Sequence, residues 1–351
     1  MSNIKQIIRI ILFIQAIFLN GFVFSQEELD RHPQDSLRMM FYNVENLFDP
    51  FDDSLTSDEE FTEEGAKHWS WYKYQDKLSN IYKTIVAVGN PYPPAIIGLC
   101  EIENRFVLNQ LVYKTPFSKF DYRIVHEESP DRRGIDVGLL FDPKRAELIY
   151  HEAVRIDFHF SPQTKTRDIL YVKLRIFNED TIHIFVNHWP SRWGGQMASA
   201  PKRNYVADIL RVKIDSIFNE ELTPSIFVMG DFNDEPEDES LRLHLEAGSP
   251  EGSSRMVNVM LPLVNDKSKG THKYQANWGI LDQFIVSKFL LLSNNQLQIN
   301  LHQNPIFAEP YLLEKDEKFL GLKPNRTFIG YKYHGGFSDH LPIFLDLYKM
   351  Q

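Results

Sequence analysis

Several apolar runs in this sequence stop abruptly at a residue able to bind a divalent cation or move a proton. Ile96-Ile97-Gly98-Leu99-Cys100 meets Glu101, Ile184-Phe185-Val186-Asn187 meets His188, and Ile226-Phe227-Val228-Met229-Gly230 meets Asp231-Phe232-Asn233. Met39-Met40-Phe41-Tyr42 meets Asn43, Ile280-Leu281 leads to Asp282, and Ser338-Asp339-His340 opens the last run. Side chains alternate along a strand, so Asp231 and Asn233 can share a face while Asp339 and His340 must diverge, one toward a metal and the other toward a substrate. The hard oxygens of Asn, Asp and Glu suit Mg2+, Mn2+ or Ca2+ better than zinc, and neither an HExxH helix nor a Cys/His ladder competes. A divalent ion on a phosphoryl oxygen, one His taking a proton from water and another stabilising the leaving side suffice for in-line phosphodiester hydrolysis. A single strand-terminal acid is more often a turn or cap residue, so the weight rests on the set.

As a set, Gly230-Asp231-Phe232-Asn233, Ser338-Asp339-His340, Glu101 after an early strand and Asn43 on the first one resemble the endonuclease/exonuclease/phosphatase superfamily, the DNase I-like fold. Order and approximate spacing agree from about Leu37 to Leu347. More narrowly, Asn43-Val44-Glu45-Asn46-Leu47-Phe48-Asp49, Arg133 to Asp142 and Asn187-His188-Trp189-Pro190-Ser191-Arg192 look like its bacterial secreted nuclease branch. The resemblance implies an α/β, four-layer αββα sandwich: two mixed β-sheets packed face to face, flanking helices, and the site at one sheet edge. It further implies that Glu101 is the main metal ligand with Asn43 beside it, that Asp339 completes or extends the metal site, and that Asn233 binds the scissile phosphate. His340 would be the general base or a transition-state contact oriented by Asp282, His188 the second catalytic His, and Asp231 a carboxylate that orients the nucleophile. Whether Asp231 or His340 activates water stays open. A carboxylate such as Asp282 accepting from one imidazole nitrogen fixes the tautomer and leaves the other nitrogen to act. For His188 no such partner is evident, and His183 on the same predicted strand reads as a packed or surface residue.

These residues need strands to position them. Apolar runs predict strands over 37–43, 95–100, 136–141, 169–177, 182–187, 225–229, 281–286 and 341–347. Helical spacing of Leu78, Ile81, Tyr82, Ile85 and Val86 predicts an amphipathic helix over 74–88, stopped by Gly89-Asn90-Pro91. Val206, Ile209, Leu210, Ile214 and Ile217 predict a second over 202–218, and residues 239–245 a shorter one. The acidic stretch from Asp49 to Glu64 reads as a solvated loop, without the alternating Asp and central Gly of an EF-hand. No repeat or linker divides the chain, so residues 37–351 are expected to form one domain after a flexible lead-in over 26–36.

The chain has 351 residues, 43% hydrophobic and 25% charged, with a net charge of −10. Its composition excludes a disordered tail, a repeat fibre and a multispan membrane protein. The single Cys100 can close no internal disulfide, and beside Glu101 it reads as a small buried hydrophobe. Lys5 and Arg9 precede the apolar stretch 10–24, with small residues at its end, so residues 1–25 are read as a cleaved secretory signal. An exported protein, periplasmic or extracellular and without stable membrane association after cleavage, is therefore expected. An acidic chain lacks the field of a nucleic-acid coat protein, so a nucleic-acid substrate must be held by metal and a local basic patch. Arg133, Arg192 and Arg326 are the candidate phosphate contacts. Trp189 and Trp193 would either pack in the core or stack on a base. The expected activity is a secreted metal-dependent phosphodiesterase, most readily a nuclease on DNA or RNA. Inositol phosphates or phospholipid headgroups are the alternative substrates, and a catalytically silent module is disfavoured because the set is complete.

Overall fold

The computed structural model describes residues 35–301 and 304–350; the expected signal over 1–25 and the lead-in up to residue 34 lie outside the described residues. The strand β1 (Ser36–Leu47) is followed by helix α1 (Trp71–Gly89), β2 (Ile96–Ile102), helix α2 (Arg105–Lys114), β3 (Arg123–His126) and β4 (Asp136–Phe141). Next come β5 (Ala146–Val154), β6 (Ile169–Ile176), β7 (Asp180–His188), helix α3 (Gln196–Glu220) and β8 (Ser225–Asp231). Short strands β9 (Ala247–Gly248), β10 (Met256–Asn258), β11 (His272–Tyr274) and β12 (Asn277–Gly279) precede β13 (Asp282–Ser287) and β14 (Leu297–Ile299). The hairpins β15 (Leu313–Lys315) with β16 (Leu322–Pro324) and β17 (Phe328–Ile329) with β18 (Lys332–Tyr333) lead into β19 (Ile343–Lys349).

The strands form a six-stranded sheet in the order β14-β19-β1-β2-β4-β3 and a seven-stranded sheet in the order β5-β6-β7-β8-β13-β10-β9. Both are mixed: β1 runs parallel to β2, and β7 parallel to β8, among antiparallel neighbours. Alternation along the strands builds three apolar layers. Met39 and Phe41 of β1 join Phe227 and Met229 of β8 in the core between the sheets. Met40 and Tyr42 face Leu78, Ile81 and Ile85 of α1 and Leu108 and Leu111 of α2, whereas Val228 faces Val206, Leu210 and Ile214 of α3. Helix, sheet, sheet, helix is the four-layer sandwich expected, built by strands apolar on both faces.

The predicted helix over 74–88 is α1, capped by the Ser70 side chain and ended at Asn90. Helix α3 starts at Gln196, six residues before the expected Lys202, because Pro201 is accommodated inside it. Residues 240–244 form a single π-type turn. Helix α2, capped by Asn104, and strands β3 and β5 were not anticipated; β5 is a sheet edge whose Leu148, Ile149 and Tyr150 stay exposed, so it lacks the alternation that marks a half-buried strand. The acidic stretch is no purely solvated loop. Asp49 and Asp58 are buried, Phe61 stacks on Phe48 at 4.3 Å, and Trp69 donates to the Phe48 carbonyl at 2.8 Å, so aromatics pin the segment against α1. The Glu103 side chain accepts the Asp49 amide at 2.6 Å, its own amide donates to the Leu47 carbonyl at 3.1 Å, and burial pushes its carboxyl pKa up to about 9.

Candidate active site

Register assembles the site. Across three neighbouring strands, His188 pairs with Asp231 and Asp231 with Asp282, so the ends of β7 and β8 and the start of β13 put these side chains in one row. From the other sheet, β1 and β2 bring Asn43 opposite Cys100. Glu101 would follow Cys100 onto the helix-facing side of a regular strand. Instead the pairing with β4 slips between Cys100 and Ile102, Glu101 takes a left-handed φ of 58°, and Ile102 recovers the helix-facing layer. This one-residue bulge releases the Glu101 carboxylate from the alternation and turns it to the site.

Asn43 links the two sheets: its Nδ2 donates to Glu101 Oε1 at 3.2 Å and to Asp231 Oδ2 at 3.1 Å, while its Oδ1 accepts from the Glu45 amide at 2.9 Å. His188 Nε2 lies 3.8 Å from Glu101 and 3.7 Å from Asp231. His340 Nδ1 meets Asp282 Oδ2 at 2.6 Å, and its Nε2 stands 3.8 Å from Asp231 Oδ2. Asp339 sits in a bend ahead of β19, so it does not diverge from His340 as strand alternation would require: its carboxylate, one nitrogen of His340 and one of His272 lie within 4.8 Å of one another, and it accepts from Arg326 Nη2 at 2.9 Å. Asn233 lies beyond the end of β8, with a φ of 51°, so strand alternation does not govern it as expected; its amide N–H closes a turn onto Asp231 Oδ1 at 2.9 Å and its Nδ2 donates to the Trp189 carbonyl.

The electrostatics divide the two imidazoles. Burial alone would lower His340, but the Asp282 and Asp231 carboxylates outweigh it and hold its pKa well above the ordinary value. His188 is pushed well below by burial and by Arg167, Arg133 and His340, which favours the neutral ring. Asp231 is pushed up to about 7 by burial, with Asp282 and Glu101 adding to it and His340 opposing. Burial would raise Asp339, yet Arg326 and His340 hold it below the ordinary range.

The sequence profile of the Endonuclease/Exonuclease/phosphatase family matches residues 38–349. The chain belongs to this family. It is thereby a metal-dependent phosphoric ester hydrolase. No curated protein matches the sequence. Among solved structures, the human Nocturnin catalytic domain with bound sulfate is 17% identical, with a TM-score of 0.55 over 90% of this chain and 95% of that one. Zebrafish (D. rerio) TDP2 complexed with a single-strand DNA product is 15% identical, with a TM-score of 0.52 over 89% and 98%. A family protein from Bacteroides thetaiotaomicron is 12% identical, with a TM-score of 0.51 over 90% and 99%. At these identities the likeness is one of fold.

The donor set fits the divalent ion that family membership implies. Glu101 offers a carboxylate that is 15% exposed, the Asn43 amide nitrogen bridges it to Asp231, and Asp282 Oδ1 is buried without a partner. Crowded hard oxygens, offset by His340 and Arg326, are what Mg2+ or Mn2+ takes. Of the remaining predicted residues, Arg192 is engaged by the Asn233 carbonyl at 2.7 Å and Asp238 at 2.8 Å. Arg133 is half-exposed, 4.0 Å from Asp131. Trp189 is buried against Phe232, whereas Trp193 is 91% exposed. His183 packs away from the site, bonded to the Tyr171 hydroxyl and beside Glu221. Cys100 lies buried in the core between the sheets.

Four supporting residues escaped sequence reasoning. Buried Arg167 donates to the His188 and Trp189 carbonyls and to Asp131, and so fixes the strand end that carries His188. Glu45 and Asn46 take consecutive left-handed φ values of 52° and 54°; Asn46 then donates its amide to Glu101 Oε2 at 2.9 Å, while Glu45 accepts from Arg326 and from the Thr327 amide. His272 packs against His340 with ring centres 4.7 Å apart and planes tilted by 36°, across an isolated bridge, and burial with the His340 charge pushes its pKa down to about 4. Glu45 and Asn46 stand inside the Asn43–Asp49 motif; Arg167 and His272 carried no local signal.

Proposed function

We propose that the chain is an exported nuclease that hydrolyses phosphodiesters of DNA or RNA with Mg2+ or Mn2+, Ca2+ being the weaker fit. One observation carries the reading: the row His188, Asp231, Asp282 of one sheet converges with Glu101 of the other and with His340 from a third segment. Glu101, with Asn43 beside it and Asp339 nearby, would hold the ion, which when bound supplies charge to the scissile phosphoryl oxygens. Asp282 locks Nδ1 of His340, so Nε2 is the atom left to hold or move a proton at the phosphate. Asp231 Oδ2, between both imidazoles, suits orientation of the attacking water. His188 contributes a neutral ring on the opposite side. Asn233 is the group for the scissile phosphate; Arg326, Arg133 and Arg192 would meet the strand farther out.

The DNA product held by the TDP2 relative supports a nucleic-acid substrate. Export rests on the basic, then apolar start of the chain. Among the described residues no helix is long and apolar enough to cross a membrane. The test is hydrolysis of plasmid DNA and of structured RNA by the purified protein with Mg2+ or Mn2+, beside EDTA and His340→Ala controls. Metal-dependent cleavage that His340→Ala lowers by about 10²-fold or more is expected. Failure on both polymers moves the substrate to other phosphoesters. Secretion of full-length precursor followed by intact-mass analysis checks export, a start at Gln26 being the expected product.

A further inference from the structure

Beside the candidate metal site, on the side away from His188, a cleft of about 250 Å3 opens between the segment ending at Lys67 and the hairpin β17–β18. Its walls are Asn46, Phe61, Lys67, Arg326 and Phe328. Two cations face it. Arg326 uses Nε for Glu45 Oε1 at 3.1 Å and Nη2 for Asp339 at 2.9 Å, leaving Nη1 uncommitted. Lys67 Nζ sits 4.7 Å from the centre of the Phe328 ring, 5.2 Å from that of Phe61 and 5.7 Å from that of Tyr331. Its nearest carboxylate is Glu60, 3.9 Å away and half-exposed.

An ammonium caged by three rings and only loosely paired is oriented without being neutralised. The one carboxylate in the cleft, Glu45, is consumed: Oε1 by Arg326 and Oε2 by the Thr327 amide at 2.7 Å. An anion entering would therefore meet two donors and no free acceptor. The cleft adjoins the reaction centre through two residues, because Asn46 in its wall binds Glu101 and Arg326 binds Asp339. Backbone strain at Glu45 and Asn46 turns β1 to make that junction.

We infer that this cleft is a subsite for a second phosphate, the one adjoining the scissile phosphate on the substrate strand, bound between Lys67 and Arg326. The inference rests on the phosphodiesterase reading and adds a determinant of substrate choice: strands or ends with a neighbouring phosphate are preferred over isolated phosphodiesters. Tyr331, 69% exposed at the hairpin tip, is the ring available to the attached base.

The test separates binding from turnover. Isothermal titration in EDTA compares a thymidine dinucleotide with the same dinucleotide carrying one extra phosphate at its 5′ or its 3′ end, on wild type and Lys67→Met. One phosphorylated form is expected to bind wild type about tenfold tighter than the bare dinucleotide, and Lys67→Met to reduce that margin to about twofold. Turnover of bis(4-nitrophenyl) phosphate with Mn2+, which has no second phosphate, is expected to be equal in the two proteins. Equal binding of all three dinucleotides to wild type, no binding of either phosphorylated form, or a uniform loss in Lys67→Met overturns the subsite. Absence of turnover in wild type would instead sink the phosphodiesterase reading while the titration still decides the cleft. The wild-type comparison needs no variant, and Lys67→Gln stands in should Lys67→Met melt early.

Discussion

Asp282 and His340 form the tightest contact in the site, and Asp282 has no other side chain to serve. Its value lies in the tautomer and charge of one ring, so the two residues should behave as a unit. Asp282→Asn and His340→Ala are each expected to lower kcat by about 10²- to 10⁴-fold, and the double variant by little more than the worse single. Single-turnover rates on one oligonucleotide check this; a multiplicative loss would mean the residues act separately. Arg167 is a different kind of residue. It touches no substrate position, yet it pairs with Asp131 at 3.0 Å and holds two carbonyls, all buried. Arg167→Met should cost about 3–5 kcal/mol in urea unfolding, since the buried Asp131 charge would keep only the half-exposed Arg133, 4.0 Å away, as its cation. The candidate site residues were legible because each ends or opens an apolar run, a signal visible in one dimension. Arg167 and His272 were not, because their partners lie on other strands and no local pattern anticipates a register.

At the scale of elements, glycine explains how the strands approach. A Cβ on Gly230 would stand 2.5 Å from the Asn187 carbonyl oxygen and 2.6 Å from the Asn187 Cβ, so β8 carries no side chain there beside β7. Gly230→Ala must push apart the two parallel strands whose ends bear His188 and Asp231. A cost of about 1–3 kcal/mol is expected, with a fall in kcat exceeding that of a remote substitution of equal cost. Thermal melting beside kcat separates the two effects; unchanged kcat in a destabilised variant would show that the strand ends are not coupled to this packing. Strand existence followed well from apolar runs, and β4, β6 and β8 begin where the sequence predicts. The bulge at Glu101 did not follow, because nothing in Cys100-Glu101-Ile102 distinguishes an extra residue from a paired one. Aromatic burial in the acidic stretch was likewise masked by its eight acids.

Over the whole molecule, the hairpin β15–β16 is fastened to β11 by Lys273 Nζ and Asp316 Oδ2 at 2.9 Å. Lys273, then the amide of Phe319, pulls the Asp316 carboxyl down to about 2. A depressed carboxyl adds stability above the ordinary aspartate value near 3.9 and loses it as pH falls through its folded value. Asp316→Asn should therefore lower the urea midpoint by a constant margin at pH 5–7, the gap closing between about pH 4 and pH 2. A gap that persists undiminished at pH 2 would assign the loss to packing instead of charge.

The site draws on segments at widely separated points of the chain, and the segment holding Asp339 and His340 enters just before β19, which pairs beside β1 at the heart of the first sheet. This ordering has a consequence for biosynthesis. A nascent chain that has not passed residue 340 has neither the imidazole bound to Asp282 nor the neighbour that completes β1. A translation product that stops before residue 340 is therefore expected to be at least as impaired as the His340→Ala variant.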